Sequence, residues 1–198
     1  MAENRPGEAT ERLALLMSYY RDAELRGAAL LLRLLAYLPD PASQTKLSLH
    51  LADETRHAWL WTRRINELGA SPVPVTDGYQ SRIGRRVLPR SVVDLLALTV
   101  VVEERSYERY LEHAARPNVD PRTLEVLREV SKDEKWHIAW VREKLLEAAR
   151  AEVGPERAEE RVRTALEKYR KVDQEVYEEL LAKERETFGG RLAQFERS

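Results

Sequence analysis

Asp53-Glu54-Thr55-Arg56-His57 returns eighty positions later as Asp133-Glu134-Lys135-Trp136-His137. In each copy the glutamate and histidine are three residues apart, a spacing that puts both side chains on one face of an α-helix. The flanking residues extend that face in steps of three and four. Around the first copy the stripe is Leu47, His50, Glu54, His57, Trp61, Ile65 and Leu68; around the second it is Leu127, Val130, Glu134, His137, Val141, Leu145 and Ala148. Such stripes are the buried faces of bundle helices. Acidic and imidazole groups therefore stand where apolar side chains belong, at the same place in two helices.

Two more glutamates keep the interval. Glu24 lies in a stripe of Leu13, Met17, Tyr20, Gly27, Leu31, Leu34 and Leu38, and Glu104 lies in one of Val93, Ala97, Val100, Tyr107, Leu111 and Ala114. Glu103 competes with Glu104 for the inward position, and both the repeat and the stripe favour Glu104. The chain thus reads as a duplicated helical hairpin. Pro39-Asp40-Pro41 closes the first copy and Pro117 to Pro121 the second, with Asp40 and Asp120 as caps and the following prolines in the first helical turn. Ser91 with Asp94 opens the third helix as a capping-box variant.

The connection Gly69–Arg90, rich in Gly and Pro, is long where the other two are tight. That pattern predicts two hairpins joined by a crossover and ranks an up-down-up-down order lower. A fifth helix is expected from Glu156 to Glu186 with Val162, Leu166, Tyr169, Val172, Val176 and Leu180 on one side, packing on the bundle or on a partner subunit in a homodimer. Ala193–Ser198 carries no clear signal. The expected fold is all-α, with a four-helix domain over 1–154 and the C-terminal helix over 155–198. No segment reads as a strand, since Val73-Pro74-Val75 is short and contains proline.

Buried carboxylates must be paired, protonated or bound to a cation. Residues equidistant from a hairpin turn lie at one height, and Glu24, Glu54, Glu104 and Glu134 all stand about 15 residues, or roughly 22 Å, from theirs. Four carboxylates and two imidazoles are thereby expected at one level, and two divalent ions would balance them. Such ligands suit iron or manganese more than copper.

Composition removes several other classes. The 198 residues carry 33 Lys and Arg against 34 Asp and Glu, a net charge of −1 with the signs interspersed. No charge excess points to nucleic acid or to an anionic membrane surface. Without cysteine there are no disulfides, thiolate metal sites or thiol nucleophiles, and a reducing cytoplasm is the expected compartment. No apolar run approaches the roughly 20 residues of a membrane span, and the N-terminus lacks the order of a signal peptide.

On Glu24, Asp53-Glu54-Thr55-Arg56-His57, Glu104 and Asp133-Glu134-Lys135-Trp136-His137, the chain resembles the ferritin-like carboxylate-bridged diiron superfamily, which includes rubrerythrins and diiron oxygenases. The resemblance covers about residues 8–150 and implies a ferritin-like four-helix bundle. It implies that Glu54 and Glu134 bridge two ions, that Glu24 with His57 holds one, and that Glu104 with His137 holds the other. Asp53 and Asp133 would accept the ring N–H groups of the histidines. Rubrerythrins carry a further glutamate three residues after the third-helix ligand, where this chain has Tyr107.

Tyr107 shares the face of Glu104 and is either a catalytic neighbour of the ions or a core tyrosine. His50, one turn before Glu54, is an extra ligand, a proton carrier or a structural histidine. Pocket shape depends on which of the small residues Gly27, Ala28, Ala97 and Ala114 leave room beside the site. His113 reads as solvent-facing, and Arg82-Ile83-Gly84-Arg85-Arg86 as a solvated loop. The expected function is a dinuclear iron enzyme, Fe/Fe or Mn/Fe, that activates dioxygen to oxidise or hydroxylate a small organic substrate. Its reductant would be external, because no cysteine serves as a relay. The alternatives are a ferroxidase or rubrerythrin-like peroxide scavenger, and a metal-stabilised structural or partner-binding bundle.

Overall fold

The computed structural model describes residues 7–187. It contains six helices and, among the described residues, no strand: α1 (Glu8–Tyr37), α2 (Pro41–Glu67), α3 (Tyr79–Arg86), α4 (Val92–Ala114), α5 (Pro121–Val153) and α6 (Pro155–Thr187). The expectation for Ala193–Ser198 falls outside those residues. No helix is long and apolar enough to cross a membrane among the described residues. The chain divides into two compact units, 1–78 and 79–198, so the division falls inside the long connection while α6 belongs with α4 and α5.

The first unit is the α1–α2 hairpin with the segment that follows it. Asp40 caps α2 by accepting from the Ser43 amide at 2.9 Å, and Pro41 occupies the first turn, where a missing N–H costs nothing. Gln44 closes the other side of the turn by donating to the Leu35 and Leu38 carbonyls at 2.8 and 2.7 Å, satisfying the open end of α1. Met17, Leu31 and Leu34 of α1 and Leu47, Trp61 and Ile65 of α2 are fully buried. Beyond α2, Gly69 takes a positive φ of 75° as the chain reverses. The extended stretch is then pinned to α1, because the Val73 amide donates to Ser18 Oγ at 2.9 Å.

In the second unit α4 packs on both α5 and α6. Val93 through Glu103 is buried without interruption, with no solvent face to give that half of α4 a period. Gly154, at φ 84°, ends α5, and Pro155 starts α6 at once. Asp94 accepts from Arg161 and Lys168 of α6 at 3.0 and 3.1 Å. Burial pushes its carboxyl up, and those hydrogen bonds more than offset the rise, holding it below its ordinary value.

The basic run is no solvated loop. It forms α3, whose Ile83 is buried and whose Arg82 and Arg86 donate to Glu179 of α6 at 3.5 and 2.6 Å. A part-buried network anchors the start of α3. The Tyr79 hydroxyl donates to Asp173 at 2.6 Å, and Arg105 of α4 donates to both oxygens of the same carboxylate at 3.0 and 2.6 Å.

His113 also departs from its expected exposure, being 5 % exposed near the end of α4. Burial, with the charges of Arg116 and Arg109 reinforcing it and Asp120 opposing it, lowers its pKa from 6.5 to about 4. The unfolded chain therefore takes the proton first as pH falls. Stability from keeping His113 neutral is complete above pH 6.5 and is lost towards pH 4, with about 2 kcal/mol gone by pH 5. Urea midpoints at pH 7.5 and 5 should converge for His113→Gln and diverge for the native sequence.

Candidate metal centre

The acidic and imidazole groups of the first unit come from two facing helices. Glu24 projects from α1; His50, Glu54 and His57 follow one another along a single face of α2. All four are at most 3 % exposed. Ligand atoms of Glu24, Glu54 and His57 lie within 4.8 Å of one another. His57 Nδ1 stands 3.4 Å from Glu24 Oε2, and His50 Nε2 stands 3.4 Å from Glu54 Oε1. These separations exceed the 2.7–3.2 Å of a good N–H···O bond. They match two donors about 2.1 Å from a common ion at a tetrahedral angle, which stand roughly 3.4 Å apart.

The cavity for one carboxylate is built into α1. A Cβ at Gly27 would overlap Glu54 Oε2 and approach Glu54 Cδ to 3.2 Å, so the absent side chain is the space the carboxylate occupies. One turn beyond Glu24 and His57, Tyr20 from α1 and Trp61 from α2 meet with ring centroids 5.0 Å apart and close that end of the hairpin seam. Gly27→Ala should improve the intrinsic propensity of α1 by up to about 1 kcal/mol. It should nevertheless weaken divalent-metal binding roughly 10- to 100-fold by displacing Glu54. Calorimetric metal titration beside circular dichroism would check both halves.

In the second unit Glu134 and His137 of α5 are 1 % and 0 % exposed, with His137 Nδ1 3.5 Å from Glu134 Oε2. The α4 contribution is Glu103, 4 % exposed, with a ligand atom within 4.8 Å of one from His137. Glu104, expected in this role, points elsewhere: it accepts from Arg142 of α5, at 3.0 Å from Nε, and from Arg170 Nη2 of α6 at 3.1 Å. The register slips by one because α4 is flanked by α6 as well as α5, and two guanidinium groups at the rim solvate Glu104. Leu96, Glu103 and Tyr110 are all buried at seven-residue spacing, whereas Glu104 and Tyr107 are only partly so.

The supporting residues are less deeply placed. Asp53 and Asp133 are partly exposed, and Asp53 lies 3.5 Å from Arg56 Nη2. Tyr107 is half-buried. The Trp136 ring meets the His137 ring edge-on at 4.4 Å.

Chemically, two carboxylates within 4.8 Å repel by roughly 3–4 kcal/mol at an effective dielectric constant of about 20. A cation between them reverses that sign. Oxygen and imidazole donors without sulfur fit iron, manganese or zinc. The buried glutamate and histidine sets are thus able to hold a metal ion, and the Gly27 cradle is shaped for a ligand carboxylate. Comparison with protein-family models, with curated proteins and with solved structures found no match.

Proposed function

We propose that the chain is a dinuclear non-heme iron protein that uses dioxygen to oxidise or hydroxylate a small organic molecule. Its ligands would be Glu24, Glu54 and His57 from the first hairpin and Glu103, Glu134 and His137 from the second. The observation that carries the reading is the buried Glu24–Glu54–His57 set beside the Gly27 cradle. The sequence repeat supports joining it to Glu134 and His137, because the same spacing produces a second buried glutamate–histidine pair on α5.

Bound iron would supply the redox chemistry with dioxygen that no side chain here provides. The chain's own part is to hold position and dryness. Tyr20 and Trp61 close one end of the first seam, Gly27 lets Glu54 approach the α1 backbone, and the fully buried His57 and His137 rings keep the ligand set out of bulk water. The reductant would be a separate molecule, since the chain lacks cysteine.

Elemental analysis of freshly purified protein identifies the ions and separates Fe/Fe from Mn/Fe. Ferrous loading followed by oxygen-electrode measurements with an external reductant then tests the chemistry. Sustained metal-dependent uptake is expected. Uptake that stops once the iron is oxidised would select a ferroxidase, faster consumption of hydrogen peroxide a peroxide scavenger, and retained but redox-silent metal a structural bundle. Absence of bound metal would overturn the proposal.

A further inference from the structure

The structure assigns a third imidazole to the metal centre: we infer that His50 is a direct ligand, through Nε2, of the ion that Glu54 binds. This rests on the dinuclear reading above. His50 is fully buried, and its Nε2 lies 3.4 Å from Glu54 Oε1, the same separation that relates His57 Nδ1 to Glu24 Oε2. Both separations are longer than a good hydrogen bond and equal the distance between two donors of one ion at a tetrahedral angle.

The repeat shows what this position requires when no ligand is needed. Val130 stands where His50 stands, and it too is fully buried. An apolar β-branched side chain therefore satisfies the packing at this level of a hairpin. Putting an imidazole there costs desolvation that packing does not repay. Coordination of a cation by the imidazole, with Glu54 held against Gly27 on the α1 side, offsets that cost.

The Glu54 ion thus carries more nitrogen donation than a centre with one histidine per hairpin. A more nitrogen-rich, less anionic set suits late first-row divalent ions better than an all-carboxylate one. The two ions of the centre are consequently inequivalent.

Proton NMR of the full chain loaded with Co(II) tests this without any turnover. A buried imidazole bound through one nitrogen keeps the other N–H, which appears as a strongly hyperfine-shifted, exchangeable resonance. Native protein should show one such signal each from His50, His57 and His137, and His50→Val, which copies the repeat, should lose one while retaining the others. Its Co(II) affinity should fall at least 10-fold. If His50 only orients Glu54, the native protein shows signals from His57 and His137 alone and His50→Val changes neither; that result overturns the assignment and leaves the dinuclear reading standing. No shifted signal at all in the native protein would overturn both. The native spectrum decides the matter even if the variant fails to fold.

Discussion

Glu54→Ala is expected to cost the protein nearly all of its bound metal, a loss of roughly 100-fold or more in affinity. Glu54 is 2 % exposed, fits the space left by Gly27, and has ligand atoms close to those of Glu24, His50 and His57. No other side chain of the hairpin meets that many potential donors. Asp53→Ala is the control, because Asp53 is partly exposed and lies beside Arg56. Metal per chain after dialysis, measured by elemental analysis, should drop for Glu54→Ala and fall far less for Asp53→Ala. Equal retention in both would remove Glu54 from the ligand set.

The largest expected loss of stability lies elsewhere. Asp173→Ala should destabilise the second unit by about 2–3 kcal/mol, the cost of leaving the Tyr79 hydroxyl and Arg105 donors without this acceptor. Asp173 is 6 % exposed and accepts from Tyr79 and, through both oxygens, from Arg105, whose side chain is 15 % exposed. Burial and then the Asp173 charge hold the Tyr79 phenol proton on well above its ordinary range, so the hydroxyl remains a donor. Removing the carboxylate takes the shared acceptor from Tyr79 and Arg105 at the junction of α3, α4 and α6, while Arg105 keeps Glu108 at 3.1 Å and the Tyr177 ring. Glu104→Ala offers the contrast. Its partners Arg142 and Arg170 are about half exposed, and such pairs contribute up to about 1 kcal/mol. Urea midpoints for the two variants should differ several-fold in their shifts; similar shifts would show that the Asp173 network is not what holds α3 in place.

Most of the helical pattern was legible because the chain punctuates it. Asp40-Pro41 and Asp120-Pro121 mark helix starts, Gly154-Pro155 marks a junction, and the stripes of α1, α2 and α5 follow one period. Glu24, Glu54, His57, Glu134 and His137 are all buried, as residues in those stripes should be. Three features were hidden for physical reasons. Glu103 could not be separated from Glu104 because Val93 through Val102 is buried on every side and supplies no phase. His113 follows an exposed Leu111 and lies among charged neighbours, so nothing local announces its burial. Helix α3 has a single buried apolar residue, Ile83, and depends on tertiary ion pairs with Glu179 and on Asp173, none of which is near in sequence.

The three-residue link between α1 and α2 bears on how the acidic site is assembled. A short link gives the hairpin low contact order, and its closure entropy is small, so pairing grows outward from Leu38–Asp40. Leu34, Leu31 and Leu47 meet first, and the level of Glu24 and Glu54 is reached only after that apolar zipper has formed. The carboxylates are thus brought together late, by a nucleus that does not contain them. A cation held there would act on the lifetime of the native hairpin rather than on the speed with which it forms.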